Sequence, residues 1–199
     1  MLNFVKTGTI LDSELKLVER EVGEFRHKAF KATVYINNGL AGVGEDIIDE
    51  TSRVCRIYPP NPKESKNIFH ILQSYILEEF ACYPFTLTKV SEIQYAIYNP
   101  GGLFKWHTDL IDSDPVNYRL FSMCINITPS NDYTGGNLEL EYNNQVITLN
   151  RNPGSYIIFP SFFRHQVSKV QTGIRESIVV WVQSSLDEVN KLKDMFTKN

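Results

Sequence analysis

Cysteine is scarce in this sequence. Three occur in 199 residues, Cys55, Cys82 and Cys124, far apart and without a CxxC pair. Neither a zinc knuckle nor a disulfide framework is supported, and a reducing compartment is expected. None has an evident histidine partner, so all three read as small buried residues rather than nucleophiles. Positive charge is not in excess: 20 Lys and Arg against 23 Asp and Glu leave a net charge of −3. That balance argues against a broad nucleic-acid-binding surface. No apolar run approaches the roughly 20 residues of a membrane span. The opening MLNFVKTGTILDSELK has no basic stretch followed by a long apolar one. A cytoplasmic protein without a nucleic-acid or membrane partner is expected, its oligomeric state unreadable. Phosphate-loop patterns are missing too. The glycines of NNGLAGVGED, residues 37–46, fit neither GxxxxGK[ST] nor GxGxxG, and the segment reads as a mobile loop.

What is present is an ordinary globular balance, 42% hydrophobic and 22% charged, at a length that suits one domain over residues 1–199. Leu11, Leu15, Val18, Val22 and Phe25 recur at steps of three and four and predict a helix that Asp12 or Ser13 would cap. Ile68, Leu72, Tyr75, Ile76 and Phe80 predict a second, after the breaker YPPNP. These make a helical part over about residues 1–85. From about 86 to 185 the texture is of short strands, VSEIQYAIY, YRLFSMCINI, NLELEY, QVITL, SYIIF, HQVSKV and RESIVVWV, separated by turn signals. Strands at such spacing predict a sandwich or barrel. SLDEVNKLKDMF reads as a short surface helix at the end.

Within FKWHTD, His107 and Asp109 are two positions apart and share one face of a strand. Of the four histidines, His27 and His70 fall in the helical part and read as structural or surface residues. His165 follows FPSFFR and opens HQVSKV, where a jelly roll would bring it beside the other pair. Two histidines and a carboxylate make the facial triad of non-haem iron oxygenases, leaving positions open for a chelating co-substrate and dioxygen. The same three groups also suit a catalytic zinc. Arg175, ten residues after His165, precedes the apolar IVVWV, where an unpaired guanidinium would be costly. A carboxylate such as that of 2-oxoglutarate would partner it, and Ser177 faces the same side.

Four blocks in order, QYAIYNPGGLFKWHTD, RLFSMCINITPSNDYTGGNLEL, GSYIIFPSFFRHQVSKV and GIRESIVVWVQS, carry a resemblance over residues 92–184. The chain resembles the 2-oxoglutarate- and Fe(II)-dependent oxygenases, in the branch of prolyl 4-hydroxylases and PKHD-type hydroxylases, including the W-x-Q-S ending. The resemblance implies a mainly β, α+β fold: a double-stranded β-helix, or jelly roll, with helices packed on its larger sheet. It implies that His107, Asp109 and His165 hold Fe(II) as metal ligands and catalytic residues. It gives Arg175 the far carboxylate of 2-oxoglutarate, with Tyr98 and Ser177 in support and Trp181 as a pocket wall. Asn126 stands where some relatives place a second carboxylate-binding tyrosine, and its amide can donate in that role.

The implied reaction is hydroxylation of an unactivated C–H bond with dioxygen, 2-oxoglutarate giving succinate and carbon dioxide, and ascorbate a candidate reductant. A prolyl or other side chain of a peptide is the expected substrate, with a free amino acid or small metabolite as the alternative. Trp181 stands where nucleobase demethylases usually carry a second arginine. The expected frame of the mouth is the 110–118 loop, the 37–46 loop, and Phe104 with Trp106. Two rivals are weaker. A non-catalytic jelly-roll binding module has no need of both histidines and the arginine together. A zinc hydrolase lacks an HExxH-type base here and leaves Arg175 without a purpose.

Overall fold

The computed structural model describes residues 4–40, 43–81, 83–86, 89–110 and 118–197, except the side chains of 35–46, 89, 91 and 197. The first part runs β1 (Lys6–Thr9), α1 (Asp12–Phe25), β2 (Phe30–Lys31), β3 (Val34–Leu40) and β4 (Val43–Ile47), then β5 (Arg53–Val54), β6 (Arg56–Tyr58) and α2 (Lys66–Phe80). The second part opens with β7 (Lys89–Tyr98), β8 (Leu103–His107), β9 (Tyr118–Asn126), β10 (Tyr133–Gly135), β11 (Leu138–Tyr142) and β12 (Gln145–Thr148). It closes with β13 (Ser155–Pro160), β14 (His165–Val167), β15 (Val170–Gly173), β16 (Arg175–Ser184) and α3 (Leu186–Thr197).

A seven-stranded sheet, in the order β1-β13-β9-β16-β7-β6-β2, faces a five-stranded one, β12-β11-β14-β8-β5. All pairings are antiparallel, and the two sheets make the expected jelly roll. The large sheet is buried on both faces, so its strands read as apolar runs while their side chains alternate in destination. Tyr95, Ile97, Met123, Ile125, Ile158, Ile178 and Val180 pack with Val18, Val22, Ile68, Leu72 and Ile76 of the helices. Ala96, Tyr98, Cys124, Ile157 and Phe159 instead meet Leu138, Leu140 and Val167 of the small sheet. Arg175, Ser177, Asn126 and Trp181 belong by this alternation to the inward face.

The helices are tied down by charge as well as by apolar contact. Ser65 precedes α2 without a side-chain cap. The first-turn N–H groups of Asn67 and Ile68 donate instead to the buried Glu21 carboxylate of α1, at 3.0 and 3.1 Å. A carboxylate at a helix N-terminus satisfies orphan donors and complements the helix dipole. Just past the C-terminal end of α1, Arg26 donates twice at 2.7 Å to Glu176 of β16, which also accepts from the Tyr95 hydroxyl.

Several expectations are corrected. Residues 1–85 are not only helical: six strands lie there, of two to seven residues, and four of them extend the two sheets. Strands of two to four residues are too short to show a period. Of the glycine-rich 37–46 segment, residues 37–40 and 43–46 fall in β3 and β4, paired from Val34↔Ile47 to Leu40↔Val43 rather than forming a loop, and residues 41–42 lie outside the described residues. HQVSKV is split between β14 and β15. Helix α1 opens on neither Asp12 nor Ser13 as cap; Glu14 reaches back to the Leu11 N–H. Helix α3 buries Val189 and Leu192 and is no mere surface helix. Cys82 and residues 111–117 of the expected mouth loop lie outside the described residues.

Because Glu21 serves the buried start of α2, Glu21→Ala is expected to lower unfolding free energy by about 1–3 kcal/mol. Urea denaturation followed by circular dichroism reads the loss, and an unchanged midpoint would refute the capping role.

Candidate active site

The site begins with one cross-strand pair. In the small sheet β8 lies beside β14 with His107 directly opposite His165, their ring centroids 4.2 Å apart. His107 ends its strand, and Asp109 lies just past it, its N–H on the Ser161 carbonyl at 2.8 Å. The Asp109 carboxylate then spans the two histidines. Oδ1 is 3.6 Å from His107 Nε2, and Oδ2 is 3.5 Å from His165 Nε2. Ligand atoms from all three residues lie within 4.8 Å of one another.

Backbone carbonyls set the orientation of both rings. His107 Nδ1 meets the Lys105 oxygen at 2.7 Å, and His165 Nδ1 meets that of Phe163 at 3.1 Å. A carbonyl only accepts, so each Nδ1 carries a proton and each Nε2 is the nitrogen that faces Asp109. Phe104 stacks on His107 at 3.5 Å, and Phe159 meets His165 edge-on at 4.8 Å. From the large sheet, Ser122 Oγ donates to Asp109 Oδ2 at 2.7 Å and contacts Ser161 Oγ at 2.9 Å.

Burial pushes His165 down to about 4, so it stays neutral, as a ligand must be. For Asp109 burial acts upward, but His165, His107 and Arg119 outweigh it and hold the carboxyl below its usual range.

A cavity of about 390 Å³ opens over these groups, with Tyr98, Gln94, Arg119 and Trp181 of the large sheet on its far wall. Arg119 lies 3.8 Å above the Trp181 ring and pairs with Glu92 at 2.5 Å. Along β16 the inward row runs from Trp181 and Val179 in that wall to Ser177 and Arg175, both fully buried. Arg175 is opposite Tyr98 in register, sits 5.3 Å from its ring, and donates to Ser177 Oγ at 2.8 Å. Burial pushes the Tyr98 phenol upward, so it remains protonated. Gly136, at φ +61°, lies against the same arginine: a Cβ there would come within 3.0 Å of Arg175 Cδ.

Asn126 is opposite Ser177 in register. Both amide hydrogens are engaged, with the carbonyls of Thr128 and Arg151 at 2.7 Å, and its oxygen accepts from Tyr133 at 3.1 Å. Direct donation from Asn126 to a co-substrate would need these bonds exchanged. Ser122, Ser161, Gln94, Arg119 and Arg53, which also lines the cavity, were not singled out by sequence reasoning. Their only signal is the strand alternation that turns Gln94 and Ser122 inward.

In metal-free protein the unfolded chain takes a proton on His165 near pH 6.5, the folded one only near 4. The sign follows: stability is full above pH 6.5 and falls on acidification through that window, by about 1.4 kcal/mol per unit at most. Urea midpoints in chelator across pH 4–7 should show this slope, and His165→Gln should flatten it.

Several known proteins resemble this chain. Residues 93–183 match the family model of the 2OG-Fe(II) oxygenase superfamily. A PKHD-type hydroxylase of Crocosphaera subtropica is 25% identical over 158 residues, covering 78% of this chain and 70% of that protein. One from Prochlorococcus marinus is 35% identical over 75 residues, 38% of this chain and 34% of the relative. Among solved structures, a Pseudomonas putida prolyl-4-hydroxylase superposes with TM-score 0.71 at 16% identity, covering 91% of this chain and 93% of its own. A Trichoplax adhaerens prolyl hydroxylase, in complex with a hypoxia-inducible-factor peptide fragment, gives 0.70 at 15% identity over 94% and 86%.

The residues of this chain fit the Fe(II), 2-oxoglutarate and dioxygen of the superfamily whose model matches residues 93–183. Two imidazole nitrogens and one carboxylate converge, and a buried guanidinium stands on the inward face of the large sheet. By its matched segment and its relatives the chain is similar to the 2OG-Fe(II) oxygenase superfamily and to PKHD-type hydroxylases, and it shares its fold with the prolyl 4-hydroxylase structures.

Proposed function

We propose that the chain is a 2-oxoglutarate-dependent dioxygenase that hydroxylates a prolyl or other side chain of a peptide. The observation that carries this reading is the convergence of His107 Nε2, His165 Nε2 and the Asp109 carboxylate on one point at the mouth of a cavity whose inward row ends in Arg175. Bound there, Fe(II) with 2-oxoglutarate and dioxygen supplies the oxidising power for C–H hydroxylation, with succinate and carbon dioxide as co-products.

The chain's own residues do the rest. His107 and His165 hold the metal through lone pairs aimed by the Lys105 and Phe163 carbonyls. Asp109 adds a negative charge, steadied by Ser122 from the opposite sheet. Arg175 binds the far carboxylate of the co-substrate through a charge-assisted fork, with Ser177 and the protonated Tyr98 beside it. Trp181, pinned under Arg119, keeps one wall flat and dry. Phe104 shields His107 from water on the other side. The peptide reading draws on the structural neighbours, one of which is a prolyl hydroxylase in complex with a peptide fragment.

Fe(II) followed by 2-oxoglutarate, added without oxygen, should give a visible charge-transfer band. His107→Ala should abolish the band, and Arg175→Ala should raise the 2-oxoglutarate Kd about 10–100-fold while leaving metal binding intact. Folded protein that shows no band and holds zinc tightly would overturn the reading. Ser122→Ala removes an outer partner of Asp109 and should weaken Fe(II) binding about 10–100-fold, read by competition with a chelator.

A further inference from the structure

Segment 53–58 crosses from one sheet to the other. β5 is the outer strand of the small sheet, beside β8, whereas β6 pairs with β7 in the large one. Arg53 stands at this crossing, at the open side of the sandwich. Its register partner is Phe104, its guanidinium lies 4.5 Å over that ring, and the ring in turn stacks on His107. Nη1 donates to the Thr33 carbonyl at 3.2 Å, and Nε meets Cys55 Sγ at 3.3 Å. Among the described residues, no carboxylate comes within ion-pair distance of it. Arg119, across the cavity, is the contrast, since Glu92 neutralises it.

Two cavities meet at Arg53. One is the metal-site cavity; the other, of about 240 Å³, is lined by Lys31, Glu50, Arg53, Cys55, Arg56 and Asn99. Lys31 and Glu50 pair with each other at 2.8 Å. Arg56, like Arg53, has no carboxylate partner among the described residues. Among the described residues, the passage from the candidate metal site outward is therefore lined by unpaired positive charge, in a chain whose net charge is −3. A half-buried guanidinium gains most from an anion that reaches it after water has left. Stacking on Phe104 fixes its plane beforehand, which reduces the ordering cost of a two-point contact.

We infer that Arg53 is a specificity-determining residue, binding a carboxylate that the substrate carries near the C–H bond to be hydroxylated. The inference rests on the proposed function for what the substrate is, while the anion preference is a property of the two cavities. A free amino acid or small organic acid presents this carboxylate, and so does an acidic residue of a peptide.

Calorimetry on protein loaded with Mn(II) and N-oxalylglycine, which keeps the co-substrate place filled without turnover, separates these cases. The probes are N-acetyl-L-proline against its primary amide, and the capped dipeptides Ac-Pro-Asp-NH2 against Ac-Pro-Asn-NH2. In at least one pair the acid should bind about ten-fold tighter than its neutral analogue. The first pair showing the gap identifies a small acid, the second an acidic peptide. Arg53→Gln should close the gap while leaving the neutral probe within about two-fold. Should that variant fail to fold, Arg53→Lys decides, because losing the fork should shrink the gap at least three-fold. A ratio near one in wild type for both pairs, no binding of either acid, or a gap untouched by these substitutions overturns the inference. The same ratios on metal-free protein keep the two ideas apart. Failure of Mn(II) and N-oxalylglycine to bind sinks the co-substrate reading, and the Arg53-dependent ratio still decides this one.

Discussion

The pairing of β8 with β14 is the contact on which the site depends. It puts His107 opposite His165, and the alternation of a strand makes that register unforgiving. A slip of one residue would turn one imidazole to the other face and dissolve the convergence at Asp109. The register is secured from several directions. Phe104 fills the space beside His107, Phe159 backs His165 from the large sheet, and Ser122 and Ser161 hold Asp109 between the sheets. The three candidate ligands therefore come from the small sheet and the turn beyond it, while the groups that orient them come from both.

The large sheet plays a second part, through the two faces of β16. Ile178, Val180 and Val182 pack with the helices, and Arg175, Ser177, Val179 and Trp181 point inward. Neighbouring charges are thereby sent opposite ways. Arg175 goes in beneath the cavity, while Glu176 goes out to Arg26 and Tyr95 and fastens α1 to the same strand. A buried charge without a partner is costly, so each side of this strand needs a complement. On the outer side the protein supplies it. On the inner side the partners of Arg175 among the described residues are Ser177 and the Tyr98 ring.

Much of this was legible from residues in order. The step-of-four apolar positions Ile68, Leu72, Ile76 and Phe80 gave away α2, and the β-branched runs marked the long strands of both sheets. HxD, the distant His165 and Arg175 pointed to one chemistry because few other purposes need all of them together. Less visible were β2, β5 and β6, whose two or three residues carry no period, and the β3–β4 hairpin, whose glycines read as a loop. Arg53 was hidden for the same reason: in TSRVCRIYPP it looks like an ordinary strand-edge arginine. Only the crossing of that segment between the sheets brings it beside Phe104.

The sequence by itself determined the long elements and singled out the donor set and Arg175 as candidates, because these depend on residue type and local spacing. Tertiary structure alone decided the rest. Contacts between residues far apart in the chain, such as His107 with His165, Ser122 with Asp109, Glu21 with the start of α2 and Arg53 with Phe104, follow from strand register and sheet packing. Those are set by burying a whole core at once, and no local pattern encodes them.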